Sequence, residues 1–400
     1  MPSVGCSTLV TGAFPRLPAR TPADAEVVRD AVVAWDGSTV TYAGPRSGWP
    51  DPVDEELAGR TIVPGFVDCH THLPFFGWRD DEYESRLAGA SYRDLHGEGG
   101  IARSARMLAE ASDEEVMEFC RPLTAQMLRH GTTALELKTG YGLSIEAELR
   151  QARLARRLAD ELPQTATVTL LPCHAVPEGT DRASWVEAVR NELIPTAARE
   201  GLADAVDVYV DDIAFTVRDL EAVAGVAVDA GLSLRVHADQ LGTSGAAEAA
   251  VRLGARSADH LNHVSEEGVA ALTGGETVGV LLPASTLMLR AQPPPADRLA
   301  RGAPLALATD FNPGTSPVLS MPETVALGCA TYGLSPLDAL VATTANPAWV
   351  LGLQDRLGSL EPGKRADFVV LEADEFRRVP YRPGHNPVIA TFLGGVMSDW

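Results

Sequence analysis

The strongest constraint on this chain is an alternation. Between Val63 and Thr309, short apolar runs alternate with longer stretches of helical periodicity. The strand candidates are residues 63–69, 132–138, 166–173, 205–210, 232–237, 257–260, 277–282 and 304–309. Helix candidates fill the gaps at 102–129, 145–162, 184–200, 217–230, 246–253, 266–272 and a Pro-interrupted 293–301, and 321–333 follows the last strand. Eight strands with crossovers predict an α/β fold with a closed (β/α)8 TIM barrel rather than a doubly wound sheet.

The two ends read differently. Residues 31–35 and 39–43 flank Asp36-Gly37 and predict a hairpin, while the charged pieces at 51–56 read as a solvated loop. The turn-rich segment from Gly358 leads into a strand ending at Leu371, with two more at 388–392 and 396–397. Ends that are both β and flank a barrel are expected to pair into one accessory domain, residues 1–62 with 354–400, around a catalytic barrel at 63–353.

Composition removes several classes of function. Of 400 residues, 45% are hydrophobic and 22% charged, enough for a large core. A formal net charge of −21 argues against nucleic-acid and anionic-membrane partners. An anionic small-molecule substrate would need a local cation, either a metal or an arginine. The five cysteines are scattered, odd in number and without CxxC spacing, as expected for reduced thiols in a cytoplasmic protein. The N-terminus has no signal-peptide pattern, and no apolar run approaches the roughly 20 residues of a membrane helix.

Barrel chemistry collects at the carboxyl ends of strands. His70 and His72 close the first strand, two residues apart and so on one face, with Asp68 below them. His174 follows the third strand, His237 the fifth, His260 the sixth and Asp310 the eighth. His70, His72, His237 and Asp310 form a His₃Asp set that suits one zinc or iron ion and leaves room for water. His260, one strand beyond His237, is better placed as an acid/base or electrostatic partner.

Two stretches resemble the metal-dependent amidohydrolase superfamily: Pro64-Gly-Phe-Val-Asp-Cys-His-Thr-His72 and Gly358-Ser-Leu-Glu-Pro-Gly-Lys-Arg-Ala-Asp367. A narrower similarity rests on Arg86-Leu-Ala-Gly-Ala-Ser-Tyr92, Glu136-Leu-Lys-Thr-Gly-Tyr-Gly-Leu143, Cys173-His-Ala-Val-Pro177, His237-Ala-Asp-Gln240, Ser257-Ala-Asp-His260 and Ala308-Thr-Asp-Phe-Asn-Pro-Gly-Thr-Ser316. It is to the family that hydrolyses the cyclic amide of 4-imidazolone-5-propanoate to N-formimidoyl-L-glutamate in histidine degradation. The similarity runs from about residue 30 to the end; the first thirty residues are less typical.

The resemblance implies a distorted barrel with a small β-sandwich from both chain ends, one metal ion, and a homodimer. It implies the same four metal ligands and substrate contacts from Arg79, Tyr92, Tyr141, His174 and Gln240. Asn312, Gly314 and Thr315 would hold the amino-acid portion of the product. Arg79 suits a propionate clamp in so acidic a protein. Gln240 stands where some relatives carry Glu; it can orient but not take a proton, which leaves catalytic proton transfer to His260 and Asp310. Lys138 is expected to be structural, because the resemblance is to a one-metal enzyme. His96, His130, His263, His385 and Cys69 are expected to carry no chemistry. Arg79, Tyr92 and His174 argue against a nucleobase deaminase, and the complete ligand set argues against a non-catalytic binding protein.

Overall fold

The computed structural model describes residues 1–20, 25–90 and 99–398. Its centre is an eight-stranded, all-parallel sheet whose strands hydrogen-bond in sequence order. These are β5 (Phe66–Asp68), β6 (Thr132–Lys138), β7 (Thr165–Cys173), β8 (Ala205–Val210), β9 (Ser233–Ala238), β10 (Ser257–His260), β11 (Val278–Leu281) and β12 (Leu305–Leu307). Val206, Val208, Val236 and Leu307 pack with Leu220, Val223, Ala249 and Leu299 of the surrounding helices in one continuous core.

The ring closes by an unusual route. Low on the seam, β5 and β12 each bond to a strip of chain beside them: Val67 N–H donates to Thr343 O (2.9 Å) and Leu307 N–H to Ala342 O (2.7 Å). Above their ends the two segments join directly. Asp310 N–H donates to His70 O (3.0 Å) and His72 N–H to Phe311 O (2.9 Å). Asp68 stitches the same seam, accepting Thr309 N–H and Oγ1–H at 3.2 and 2.6 Å. Its carboxylate therefore serves the seam rather than the rim.

The chain ends form a second, seven-stranded sheet. Its members are β1 (Ser3–Val10), β2 (Val27–Asp36), β3 (Thr39–Pro45), β4 (Glu55–Pro64), β13 (Phe368–Leu371), β14 (Val388–Leu393) and β15 (Val396–Met397). The order is β15-β14-β13-β4-β1-β2-β3, so β4 joins the N-terminal strands to the C-terminal ones. Trp35, Ile62, Phe368 and Val370 lie in its core, and Phe368 stacks on Phe392 at 4.2 Å between ring centroids.

Several expected boundaries move, each for a local reason. The run at 63–69 is two strands: β4 ends at Pro64 in the sheet of chain ends, and β5 begins the barrel at Phe66. Gly65 makes the break, and a Cβ there would fall 2.0 Å from Thr133 Oγ1. The exposed Glu55 and Glu56 begin β4 rather than a loop. The expected helix 102–129 is two helices, Gly100–Glu110 and Asp113–Arg129, because Ser112 and Glu115 form a capping box between them. A helix at Pro283–Leu289 was not expected; proline at its first turn starts it. No helix among the described residues is long and apolar enough to cross a membrane.

Candidate active site

His70 and His72 stand just past β5, their ring centroids 5.2 Å apart. The His70 ring lies 4.5 Å from that of His237, and the His237 ring 5.2 Å from that of His260. Asp310 completes the group, with Oδ1 3.2 Å from His72 Nε2 and 3.5 Å from His70 Nε2. All five side chains are buried.

Each of two imidazoles is oriented from behind by a carboxylate. His70 Nδ1 hydrogen-bonds Asp259 Oδ2 at 2.6 Å, and His237 Nδ1 lies 3.0 Å from Asp207 Oδ2. A proton held at Nδ1 leaves the Nε2 lone pair of each ring facing the centre. Both Nε2 atoms are buried without a hydrogen-bond partner among the described residues. Such orphaned acceptors are costly unless something binds them, and donor atoms of His70, His72 and Asp310 come within 4.8 Å of one another, as do those of His70, His237 and His260. The residues present therefore fit a metal ion.

The electrostatics agree. Burial holds His70 well below the usual histidine range and His72 below it, which keeps both rings neutral and able to ligate. Burial works against ionisation of Asp310, but the His72 hydrogen bond and the facing imidazoles outweigh it and bring its carboxyl below the usual range. Burial pushes His260 down to about 3. His260 and Asp310 both sit in the left-handed region, at φ 76° and 54°. Non-glycine residues are rare there and cluster at functional sites.

Lys138 lies below this group rather than in it. Its ammonium is fully buried, 2.7 Å from Asp207 Oδ2 and 2.8 Å from Glu136 Oε2. Glu136 in turn pairs with Arg235. Asp207 also accepts the His237 N–H at 3.1 Å. Burial opposes its charge, yet the facing His237 and Lys138 hold it well below the usual range.

The pocket beside the cluster is lined by His72, Arg79, Tyr141, His174, Gln240 and Thr315, with Asn312 and Tyr209 also on its wall. Arg79 is 3% exposed, and its Nε and Nη1 have no hydrogen-bond partner among the described residues. Glu82 Oε2 stands 3.6 Å from Nε, an ion pair beyond hydrogen-bond distance. Gly314 makes room for the guanidinium, since a Cβ there would lie 1.6 Å from Nη2. His174 Nδ1 hydrogen-bonds Gly140 O at 3.1 Å, and its ring stacks on His72 at 5.2 Å. The Asn312 side chain binds its own loop, accepting Gly314 N–H and Thr315 N–H at 2.9 and 2.7 Å. Its Nδ2 donates to Asp310 O at 2.7 Å.

Of the expected site residues, the structure thus brings together His70, His72, His237, His260, Asp310, Arg79, Tyr141, His174, Gln240, Asn312, Gly314 and Thr315. Tyr92 and His96 lie outside the described residues. Cys69 is buried in an apolar cluster with Ala134, Val280 and Ala306, and His385 binds Glu372 at 2.7 Å. Sequence reasoning gave no role to Asp207, Asp259 or Tyr209. A usable signal existed for the two carboxylates: an acid inside an apolar strand must have a partner.

Comparison with known proteins agrees with this geometry. The chain belongs to the amidohydrolase family, whose profile matches residues 61–397. Within it, the chain is 42% identical to the imidazolonepropionase of Rhizorhabdus wittichii over 370 residues, 90% of this chain and 93% of that one. It is 44% identical to the imidazolonepropionase of Rubrobacter xylanophilus over 384 residues, 92% of this chain and 91% of that one. Among solved structures, guanine deaminase of E. coli superposes with a TM-score of 0.72 at 17% identity, covering 100% of this chain and 99% of that chain. At that identity the likeness shows the fold alone.

Proposed function

We propose that this chain hydrolyses the ring amide of 4-imidazolone-5-propanoate, giving N-formimidoyl-L-glutamate. The name shared by its relatives supports that reading. The observation that carries it is Arg79, a buried guanidinium whose Nε and Nη1 have no partner among the described residues, on the wall of the pocket that also holds the histidine cluster. A small anionic substituent such as a propionate is the natural partner for that fork.

His70, His72, His237 and Asp310 would hold the metal, zinc or iron. When bound, such an ion supplies a Lewis acid that polarises a carbonyl and makes water more acidic. The chain's own groups then divide the work. Arg79 takes the propionate, with His174, Tyr141 and Tyr92 as further contacts. The loop that carries Gly314 and Thr315, shaped by Asn312, receives the amino-acid end. Gln240 orients substrate or water through its amide. Asp310, held ionised, takes the proton of the attacking water as the oxygen bonds to the ring carbonyl carbon. It returns that proton to the ring nitrogen as the carbon–nitrogen bond breaks. His260, neutral because it is buried, donates a hydrogen bond to the developing oxyanion. The protein works in the cytoplasm as a homodimer in this proposal.

Following loss of imidazolonepropanoate absorbance tests the reading, with metal content measured on the same sample. A panel of nucleobases assayed for ammonia release runs in parallel. Turnover of the imidazolone alone is expected. Ammonia release from a nucleobase, with the imidazolone untouched, would replace this reading by a deaminase.

A further inference from the structure

The loop after β6 carries Tyr141 and orients His174, yet its backbone is in an unfavourable conformation. Gly140 has φ 115° and Leu143 φ 53°. A leucine in the left-handed region persists only where its surroundings over-determine it. The source of that constraint is two polar side chains on the opening turns of the helix Ile145–Glu161, both fully buried on a face otherwise made of Leu149, Ala152 and Ala155.

Gln151 Oε1 accepts Gly140 N–H at 3.1 Å and Tyr141 N–H at 2.9 Å. Glu148 Oε1 accepts Gly142 N–H at 2.7 Å and Leu143 N–H at 3.3 Å. Four consecutive amides are thus held by two acceptors three residues apart on one helix face. The other end of Gln151 reaches further: Nε2 donates to Pro74 O at 2.8 Å, on the segment between His72 and Arg79. Gly142 allows the approach, because a Cβ there would lie 2.3 Å from Glu148 N. The Gly140 carbonyl, fixed in this way, accepts from His174 Nδ1. That leaves His174 Nε2 as the ring's acceptor.

We propose that Glu148 and Gln151 are positioning residues for the active site: they clamp the backbone of residues 140–143, aim Tyr141 and His174 into the pocket, and tie that loop to the segment linking His72 with Arg79. Neither side chain lines the pocket, and neither belongs to the metal cluster. The effect on turnover rests on the hydrolase reading above; the effect on the loop does not.

The test uses the metal-loaded full chain, with hydrogen–deuterium exchange of the segment around residues 139–144 and steady-state kinetics on imidazolonepropanoate. In Gln151→Leu, exchange of that segment is expected to quicken at least tenfold while the segment 150–160 of the helix keeps its protection. kcat/KM should fall at least tenfold, most of it in KM, at unchanged metal content. Glu148→Ala should behave alike, whereas Glu148→Gln, which still offers an oxygen to both amides, should stay within threefold of the native chain. Should Gln151→Leu fail to fold, Gln151→Glu keeps the acceptor but loses the link to Pro74, and should raise KM. Unchanged exchange in Gln151→Leu and Glu148→Ala, an unchanged KM in Gln151→Glu where that variant stands in, or equal damage from Glu148→Gln and Glu148→Ala, would overturn the proposal. Faster loop exchange in a protein whose native form never turns over the imidazolone would uphold the clamp and remove the functional reading instead.

Discussion

Replacing Arg79 by methionine separates binding of the substrate's acid from everything else in the pocket. The guanidinium is buried, with Nε and Nη1 unpartnered among the described residues and Glu82 at 3.6 Å. A hydrogen bond to a charged group contributes about 1.5–3 kcal/mol, so two of them to one carboxylate give about 3–6 kcal/mol. At about 1.4 kcal/mol per factor of ten, kcat/KM on imidazolonepropanoate should fall about 10²–10⁴-fold. Stability should move the other way. Among the described residues nothing meets these two buried N–H donors, a cost of about 1–3 kcal/mol each, and methionine removes them. Glu82 keeps another partner in Gly100 N–H at 3.1 Å. The free variant is therefore expected to melt higher than the free native chain while working far more slowly. A substrate analogue with the propionate converted to its neutral amide completes a double-mutant cycle. On that analogue the native chain should already be slow, and Arg79→Met should cost little more. A loss below about fivefold on the acid, or an equal loss on acid and amide, would refute the clamp.

Three other outcomes follow from the same geometry. Gly314→Ala places a Cβ where the guanidinium lies, so its kcat/KM should fall nearly as far as that of Arg79→Met, with metal content unaltered. Asp207→Asn or Asp259→Asn replaces the carboxylate behind His237 or His70 by a neutral amide; competition with a chromophoric chelator should show metal affinity about 10–100-fold weaker. His260 is held neutral with its pKa pushed down to about 3, against about 6.5 unfolded. The unfolded chain therefore binds the extra proton first, and metal-free protein should lose stability as pH falls from about 6.5 towards 3, by roughly 5 kcal/mol at most. Urea midpoints measured against pH should show a shallower slope in His260→Asn.

The sequence made the barrel legible because its information is local. A strand such as β8 or β9 is an apolar run of the right length, and the His-Thr-His72 spacing names a shared face without any knowledge of the partner strands. What escaped was set by contacts distant in sequence. The break at Gly65 depends on Thr133, which no reading of residues 60–70 contains. Asp207 and Asp259 looked like acids within apolar strands; only the closed ring places them behind His237 and His70. Asn312 lies on the pocket wall, but that its amide also braces its own loop shows only once Asp310, Gly314 and Thr315 are placed around it. Gln151 and Glu148 fall within the helix candidate 145–162, and nothing in that stretch names the loop they hold.

The seam of the barrel has a consequence for how the protein is made. Asp68 and Thr309, whose side chains close the ring, are 241 residues apart in sequence. The proposed metal ligands beside them divide in the same way: His70 and His72 are synthesised early and Asp310 late. The strip that fills the lower seam, Ala342 and Thr343, comes later still. A nascent chain on the ribosome therefore carries two histidines long before it has a site, and cannot hold an ion at full affinity until the last strand docks. Tight metal retention then reports a finished molecule, and immature chains are spared from competing for scarce metal during synthesis.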